Sequence, residues 1–364
     1  MSGITSKANH ANTFNFLHHF KNNQYRVVSG GKVAHGRVSG VKLDANFPNP
    51  KLKQTPFTND KVNLWGDGGP QLLSDQETGD YKVAKWAVEQ WNQVTDKPLL
   101  MTVGFYRPHR PLNAPKAYFE KFPLESIQLP LRPEKDDLLD VPDYGKGIAR
   151  FHAHKDTFKP RSDHQQILHL GGEQEWKYMV QSYLACVNYV DTQIGIFLET
   201  LKHNPRGRET VIVLTSDHGW HLGEKSHWSK AALWRNTTRV PFIVIQPGVT
   251  KPGVVNHQPI SHVDIFPSLC DFAGISKPKH LEGESILPLL QDPHAKREAA
   301  FLSYGPENTV VQTEDYRYIR YEDASEELYH HRKDPHEWNN LSSQPELAKL
   351  KEKLKAKVLG FQYK

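Results

Sequence analysis

Thr210-Val-Ile-Val-Leu-Thr-Ser-Asp-His-Gly-Trp-His-Leu-Gly-Glu-Lys-Ser-His-Trp-Ser-Lys230 is the stretch whose reading decides the fold. Its first six residues are apolar or β-branched and predict a buried strand, 210–215. The strand stops at Ser216-Asp-His-Gly219, which delivers a carboxylate and an imidazole to its C-terminal end. Ligands bind at that end of the strands in parallel α/β sheets. Upstream, Trp176, Val180, Tyr183, Val187, Val190, Ile194, Phe197 and Leu201 recur at alternating spacings of 4 and 3, which predicts a helix over about 173–202. Before it, Leu99-Leu-Met-Thr-Val-Gly-Phe105 reads as another short buried strand, ending at Tyr106-Arg-Pro-His-Arg-Pro111. Strand, helix, strand is a βαβ pattern and implies an α/β fold with a mostly parallel sheet. Val240-Pro-Phe-Ile-Val-Ile245 adds a further strand, closed by Pro247-Gly248.

The flanks differ in character. Asn113 to Gly172 is rich in Pro, Asp, Lys and His and reads as a surface excursion of the kind that carries substrate loops. After about Pro293, Val310–Tyr321 alternates like a hairpin. Ser343-Gln-Pro-Glu346 reads as a capping box opening a helix with Leu347, Leu350, Leu354 and Val358 on one side. The expected organisation is a main domain over 1–293 and a small α+β subdomain over 294–364. A chain of 364 residues with 37% hydrophobic and 24% charged residues suits such a globular arrangement and is far from the disordered class. No apolar run approaches the ~18 residues of a membrane span, and Met1-Ser-Gly-Ile-Thr-Ser-Lys7 has no secretory hydrophobic region. Cys186 and Cys270 are the only cysteines, which excludes a disulfide scaffold and a Cys-built zinc module; both fall in apolar helical patterns and read as core thiols. The net charge of +5 is spread along the chain, not gathered into an arm, so a nucleic-acid partner is not expected. Mild basicity of an ordinary globular chain accounts for it; a preference for anionic substrates is the sharper reading, which composition alone does not separate from it.

Three segments can carry chemistry. Asp217 and His218 side by side suit a divalent cation or a proton relay, with Lys230 a nearby cation. In Gly30-Gly-Lys-Val-Ala-His-Gly36, Lys32 and His35 could grip an anion between glycines that let another group approach the backbone. Prolines hold His109 at a strand terminus. The cluster His152, His154 and His164 could chelate zinc, yet lacks a carboxylate or cysteine at a familiar spacing.

Taken together, these segments resemble the sulfatase family, a branch of the alkaline-phosphatase-like fold, and in particular the iduronate-2-sulfatase type and its bacterial relatives. The matching stretches run in family order over nearly the whole chain. They are Gly31-Lys-Val-Ala-His35, Gly104-Phe-Tyr-Arg-Pro-His-Arg-Pro111, Tyr189-Val-Asp-Thr-Gln-Ile-Gly195 and Ser216–Glu224, then Val263–Leu269, Leu281–Leu290 and Glu327-Leu-Tyr329 with Asp334-Pro-His-Glu337 and Asn340-Leu341. The resemblance implies a mixed sheet sandwiched by helices and hydrolysis of sulfate esters of carbohydrates. It implies that Asp217 and His218 are two ligands of a calcium ion, and that Lys32 and Lys230 hold the sulfate oxygens. His109 is then the histidine that protonates the leaving alcohol, and His35 the partner of the nucleophile. The chemistry agrees: charge builds on the leaving oxygen, so fixed cations and a nearby imidazole are the expected stabilisers. Relatives are usually exported or lysosomal.

Two family features are absent from the sequence. There is no C-x-P-S-R or S-x-P-S-R segment from which the formylglycine nucleophile is made, and no Asp-Asp pair closing a first strand. In family order both precede the helix expected at 12–22. The resemblance therefore implies a sulfatase lacking its N-terminal portion, with no turnover and weak calcium affinity as written. Two other readings stand beside it. One is a non-catalytic binder of sulfated glycans that keeps Lys32, His109 and Lys230 as an anion clamp. The other is a phosphatase or phosphonate hydrolase of the same superfamily.

Overall fold

The computed structural model describes residues 15–34, 41–49, 68–151, 163–305 and 307–361. They fall into two compact units, one spanning 7–129 and 167–209, the other 130–166 and 210–364.

In the first unit, α1 (Phe16–Asn22) begins on the side chain of Asn15, which accepts the His18 amide, and leads into β1 (Arg26–Gly31). β1 is the centre of a three-stranded parallel sheet, flanked by β2 (Ala45–Phe47) and β4 (Leu99–Gly104). The crossover helix is α2 (Gly79–Asn92), whose Trp86 and Ala87 pack on Val28. A second parallel pair joins β3 (Gly68–Gln71) to β5 (Leu112–Pro115). All four β5 residues are buried, so the expected surface excursion after Asn113 starts inside the core. The short α3 (Lys116–Phe119) follows.

In the second unit, α4 (Asp143–Phe151) precedes the start of α5 (Asp163–Lys202), most of which belongs to the first unit. α5 is broken at Gly172 (φ 61°, ψ −148°), one residue before the expected helix start. Its buried stripe is not quite the one that hydrophobicity alone selects. Trp176 and Val180 are buried as expected, but Val187 is 40% exposed. Met179, Ser182, Cys186, Tyr189 and Gln193 face inward instead. Ser182 and Gln193 tolerate burial because each donates to a backbone carbonyl one turn back, Tyr178 and Tyr189 respectively.

The 210–215 run forms β6 (Ile212–Thr215), but its partner is β9 (Phe242–Ile245) and the pairing is antiparallel. The parallel βαβ unit is the one built from β1, α2 and β4. It was not legible because Arg26-Val-Val-Ser-Gly-Gly31 carries only two strongly apolar residues. Between β6 and β9 lie the small hairpin β7 (His221–Leu222) and β8 (Trp228–Ser229), and the one-turn α6 (Arg235–Thr238). After β9 come α7 (Ile265–Ala273) and α8 (Leu287–Gln291). A four-stranded antiparallel sheet follows: β10 (Ala300–Tyr304), β11 (Asn308–Gln312), β12 (Tyr316–Arg320) and β13 (Glu326–His330). One face takes the terminal α9 (Ala348–Gly360), with Leu354 and Val358 against Val311, Tyr318 and Leu328. The expected capping box at Ser343 does not form; a 3-10 turn from Pro345 to Leu347 starts the helix without a side-chain cap. The other face packs Val310, Ile319, Tyr321 and Tyr329 against Leu233 and Trp234. No helix among the described residues is long and apolar enough to cross a membrane.

Candidate functional site

In the first unit the site is built where β1 and β4 end side by side. Gly31 lies at φ 77°, a backbone setting that favours glycine, and the Lys32 amide then donates to Gly104 O at 2.7 Å. A side chain at Gly104 would stand 2.2 Å from the Lys32 carbonyl carbon, so only glycine lets the two strand ends approach this closely. Immediately beyond, Tyr106 is a hub. Lys32 Nζ lies 5.8 Å and Arg107 Cζ 5.6 Å from its ring centroid, and the His109 ring is 4.7 Å away. The turn is held by buried Asp80, in the first turn of α2, which accepts the amides of Tyr106 (2.7 Å) and Arg107 (3.0 Å). Burial pushes the Asp80 carboxyl up, against those two donors and the Arg107 and Lys32 charges.

His109 is oriented twice over. Its amide donates to Tyr106 O (2.9 Å), and the Arg107 guanidinium donates to its carbonyl (2.9 Å). Its Nδ1 lies 2.6 Å from Arg110 O, a carbonyl that can only accept, so Nδ1 carries a proton. His35 lies outside the described residues, as do His152 and His154. His164 is buried beside Arg132, and burial with that charge pushes its imidazole down to about 3.

In the second unit β6 delivers Asp217 and His218. Asp217 Oδ2 lies 3.7 Å from His218 Nε2, with the side chains 44% and 25% exposed. His218 Nδ1 faces Gly219 O at 2.8 Å, which makes Nδ1 the donor and Nε2 the ring's acceptor nitrogen, on the side of the carboxylate. Lys230 is set differently. Its neighbours Ser229 (φ 81°) and Ala231 (φ 75°) both adopt left-handed backbone, at a cost of ~1 kcal/mol or more each.

The sulfatase family model matches residues 6–275, three quarters of the chain. The chain belongs to the sulfatase family. A model described as the C-terminal part of N-sulphoglucosamine sulphohydrolase matches residues 223–364. A sulfatase of Formosa agariphila is 33% identical over 357 residues, covering 93% of this chain and 68% of that protein. Human iduronate 2-sulfatase is 28% identical over 319 residues, 74% of this chain and 56% of that enzyme. The chain thus spans between about half and two thirds of the length of these sulfatases. Among solved structures, BT4656 in complex with its substrate D-glucosamine-2-N,6-O-disulfate superposes with a TM-score of 0.69 at 21% identity, covering 96% of this chain and 82% of that one. The phosphonate monoester hydrolase of Silicibacter pomeroyi superposes with a TM-score of 0.76 at 19% identity, covering 96% and 80%. The fold is the alkaline-phosphatase-like fold of the sulfatases, a mixed α/β architecture.

Sulfatases are generally metal-dependent. Asp217 and His218 offer one carboxylate and one imidazole nitrogen close enough to share a cation. A calcium ion takes six to eight ligands, mostly oxygens. Among the described residues no group of three or more His, Cys, Asp or Glu could hold a metal. The pair fits part of a cation shell and does not complete one.

Sequence reasoning missed the groups that support these candidate residues. Asp80 sits two residues after a helix-capping Thr78, a signal for a helix start but not for its tie to the Tyr106 turn. Glu327 and Glu337 sit within the C-terminal family pattern, which carried no apparent chemistry. The structure shows them buried and joined to the 233–235 segment.

Proposed function

We propose that the whole protein is a sulfatase of the iduronate-2-sulfatase type, hydrolysing sulfate esters of carbohydrates, and that residues 1–364 alone grip the sulfate without cleaving it. The observation that carries the reading is the Tyr106 hub, where two strand ends and a buried carboxylate fix Lys32, Arg107 and His109 around one ring. Positive charge at fixed positions is what a sulfate ester needs both in binding and as its leaving oxygen gains charge. Support for a sugar substrate comes from the human relative's name and from the disulfated glucosamine bound by BT4656. Residues 294–364 are assigned to a C-terminal subdomain following a main domain over 1–293.

The roles follow from chemistry and resemblance. Lys32 and Lys230 hold sulfate oxygens. His109 in its imidazolium form donates from Nε2 to the leaving alcohol, while its Nδ1–H stays on Arg110 O and keeps the ring aimed. His35 is the partner of the nucleophile. Asp217 and His218 are assigned to calcium, which when bound supplies positive charge against the sulfate; no step is routed through it. The sequence contains neither formylglycine segment, so no covalent step is assigned to this polypeptide. The second reading, a non-catalytic binder of sulfated glycan, keeps Lys32, His109 and Lys230 as an anion clamp; the cluster of Lys32, Arg107 and His109 around Tyr106 supports it, and the sequence has no formylglycine segment.

The test is hydrolysis of a generic aryl sulfate with calcium present. No turnover by polypeptide 1–364 is expected. Turnover that is lost on chelation would refute the proposed inactivity.

A further inference from the structure

We propose that His227 is a positioning residue for Lys230, and that the buried carboxylates Glu327 and Glu337 hold the frame in which it does so. The proposal rests on the reading of Lys230 as a sulfate-binding cation. Lys230 sits between two residues with left-handed backbone, Ser229 and Ala231, neither of them glycine. Such a backbone persists only where its surroundings over-determine it. The restraint lands on the residue between them: His227 Nε2 lies 3.0 Å from Lys230 O. A carbonyl accepts only, so His227 carries a proton on Nε2 and donates it there.

The imidazole is itself held. The His227 amide donates to Glu224 O and its carbonyl accepts the Gly223 amide, each at 3.0 Å. Its ring meets the edge of buried His221 at 4.9 Å and of buried Trp234 at 6.2 Å, both T-shaped. Trp234 cannot move away. Its Nε1–H donates to Glu327 Oε2 at 2.9 Å, and the next residue, Arg235, donates its amide to Glu337 Oε2 at 2.7 Å. Arg317 pairs with Glu337 at 2.9 Å and also donates to Leu233 O at 3.2 Å. A continuous set of contacts therefore runs from β12 and β13, through Trp234 and His227, to the Lys230 carbonyl. The C-terminal sheet touches no sulfate in this scheme; it fixes where one cation stands.

The test is hydrogen exchange of the peptide spanning residues 228–232, measured by mass spectrometry in the full chain. His227→Phe keeps a ring against Trp234 and removes the donor. His227→Gln keeps an N–H donor near the same place. We expect exchange in 228–232 to rise at least tenfold in His227→Phe and to stay within threefold of wild type in His227→Gln, with exchange in β11–β13 unchanged in both. Titration with inorganic sulfate should then show weaker binding for His227→Phe, comparable to Lys230→Ala, and near-native binding for His227→Gln. Unchanged exchange in His227→Phe, or equal loss in both variants, would overturn the proposal. If Lys230→Ala leaves sulfate binding unaltered while His227→Phe still loosens 228–232, the sulfate-binding reading fails and the positioning role stands.

Discussion

The indole N–H of Trp234 donates to Glu327 Oε2 at 2.9 Å, deep inside the second unit, and the hydroxyls of Tyr321 and Tyr329 donate to the same carboxylate. Three donors converge on one buried acid. Burial pushes the Glu327 carboxyl up, against the Tyr321 and Tyr329 hydrogen bonds and the Lys225 charge. Lys225 Nζ lies over the rings of Trp234 and Tyr329, at 5.5 and 5.3 Å. Removing the acceptor strands all three donors and takes one carboxylate away from Lys225, which keeps the charge of Asp137 nearby. Glu327→Ala should cost about 3–5 kcal/mol of unfolding free energy. Urea denaturation checks this; a loss under ~1 kcal/mol would contradict the network.

Glu337 governs the acid limb of stability. Burial works to raise its carboxyl, but Arg317, the His331 ring N–H and the Arg235 amide outweigh it and hold it at about 2, against an ordinary value of 4.5. The folded protein therefore binds fewer protons than the unfolded chain between those values. The stabilisation is whole above about pH 4.5 and is lost as the pH falls toward 2. Glu337→Gln should remove a contribution of order 3 kcal/mol at neutral pH. The gap between variant and wild type should close as the pH drops through that window. Parallel stability–pH curves would show that Glu337 does not titrate as described.

Asp80 ties α2 to the turn that carries His109. Asp80→Ala leaves the amides of Tyr106 and Arg107 without their acceptor in a buried setting, at a cost of about 1–3 kcal/mol for each group left unsatisfied. The His109 turn should loosen with it. Thermal unfolding measures the first effect, and the NMR shift of His109 Nε2 reports the second. A native His109 resonance in a destabilised Asp80→Ala would separate the fold from the aim of the ring.

Gly104→Ala forces a Cβ to within 2.2 Å of the Lys32 backbone, which has no flexible end to yield. Overpacking of this kind costs about 1–3 kcal/mol, and here the displaced group is a candidate sulfate ligand. The variant should bind sulfate more weakly by a larger factor than a surface alanine such as Lys82→Ala. Equal affinities would mean that Lys32 takes no part in binding.

The candidate site residues could be singled out because they announce themselves locally. A β-branched run followed by Ser216-Asp-His-Gly219 marks a strand end with a carboxylate and an imidazole, and prolines around His109 mark a fixed terminus. The supports were not legible. Asp80 acts 26 residues away in sequence on Tyr106, and Glu327 acts 93 residues away on Trp234. Such pairings depend on chain topology, to which periodicity is blind. The α5 stripe shows the same limit: Ser182 and Gln193 are polar in composition yet bury, each with its side-chain donor on a helix carbonyl. The pairing of β6 with β9 also had no local signal, since an apolar run is compatible with either strand direction.

In the proposed function, Lys32 and Lys230 give this polypeptide its grip on sulfate. Calorimetric titration of the wild-type chain, Lys32→Ala and Lys230→Ala with a sulfated disaccharide tests it directly. The wild type should bind, binding should weaken by tenfold or more in each variant, and it should disappear with the desulfated sugar. Binding that is indifferent to both lysines, or to the sulfate itself, would contradict it.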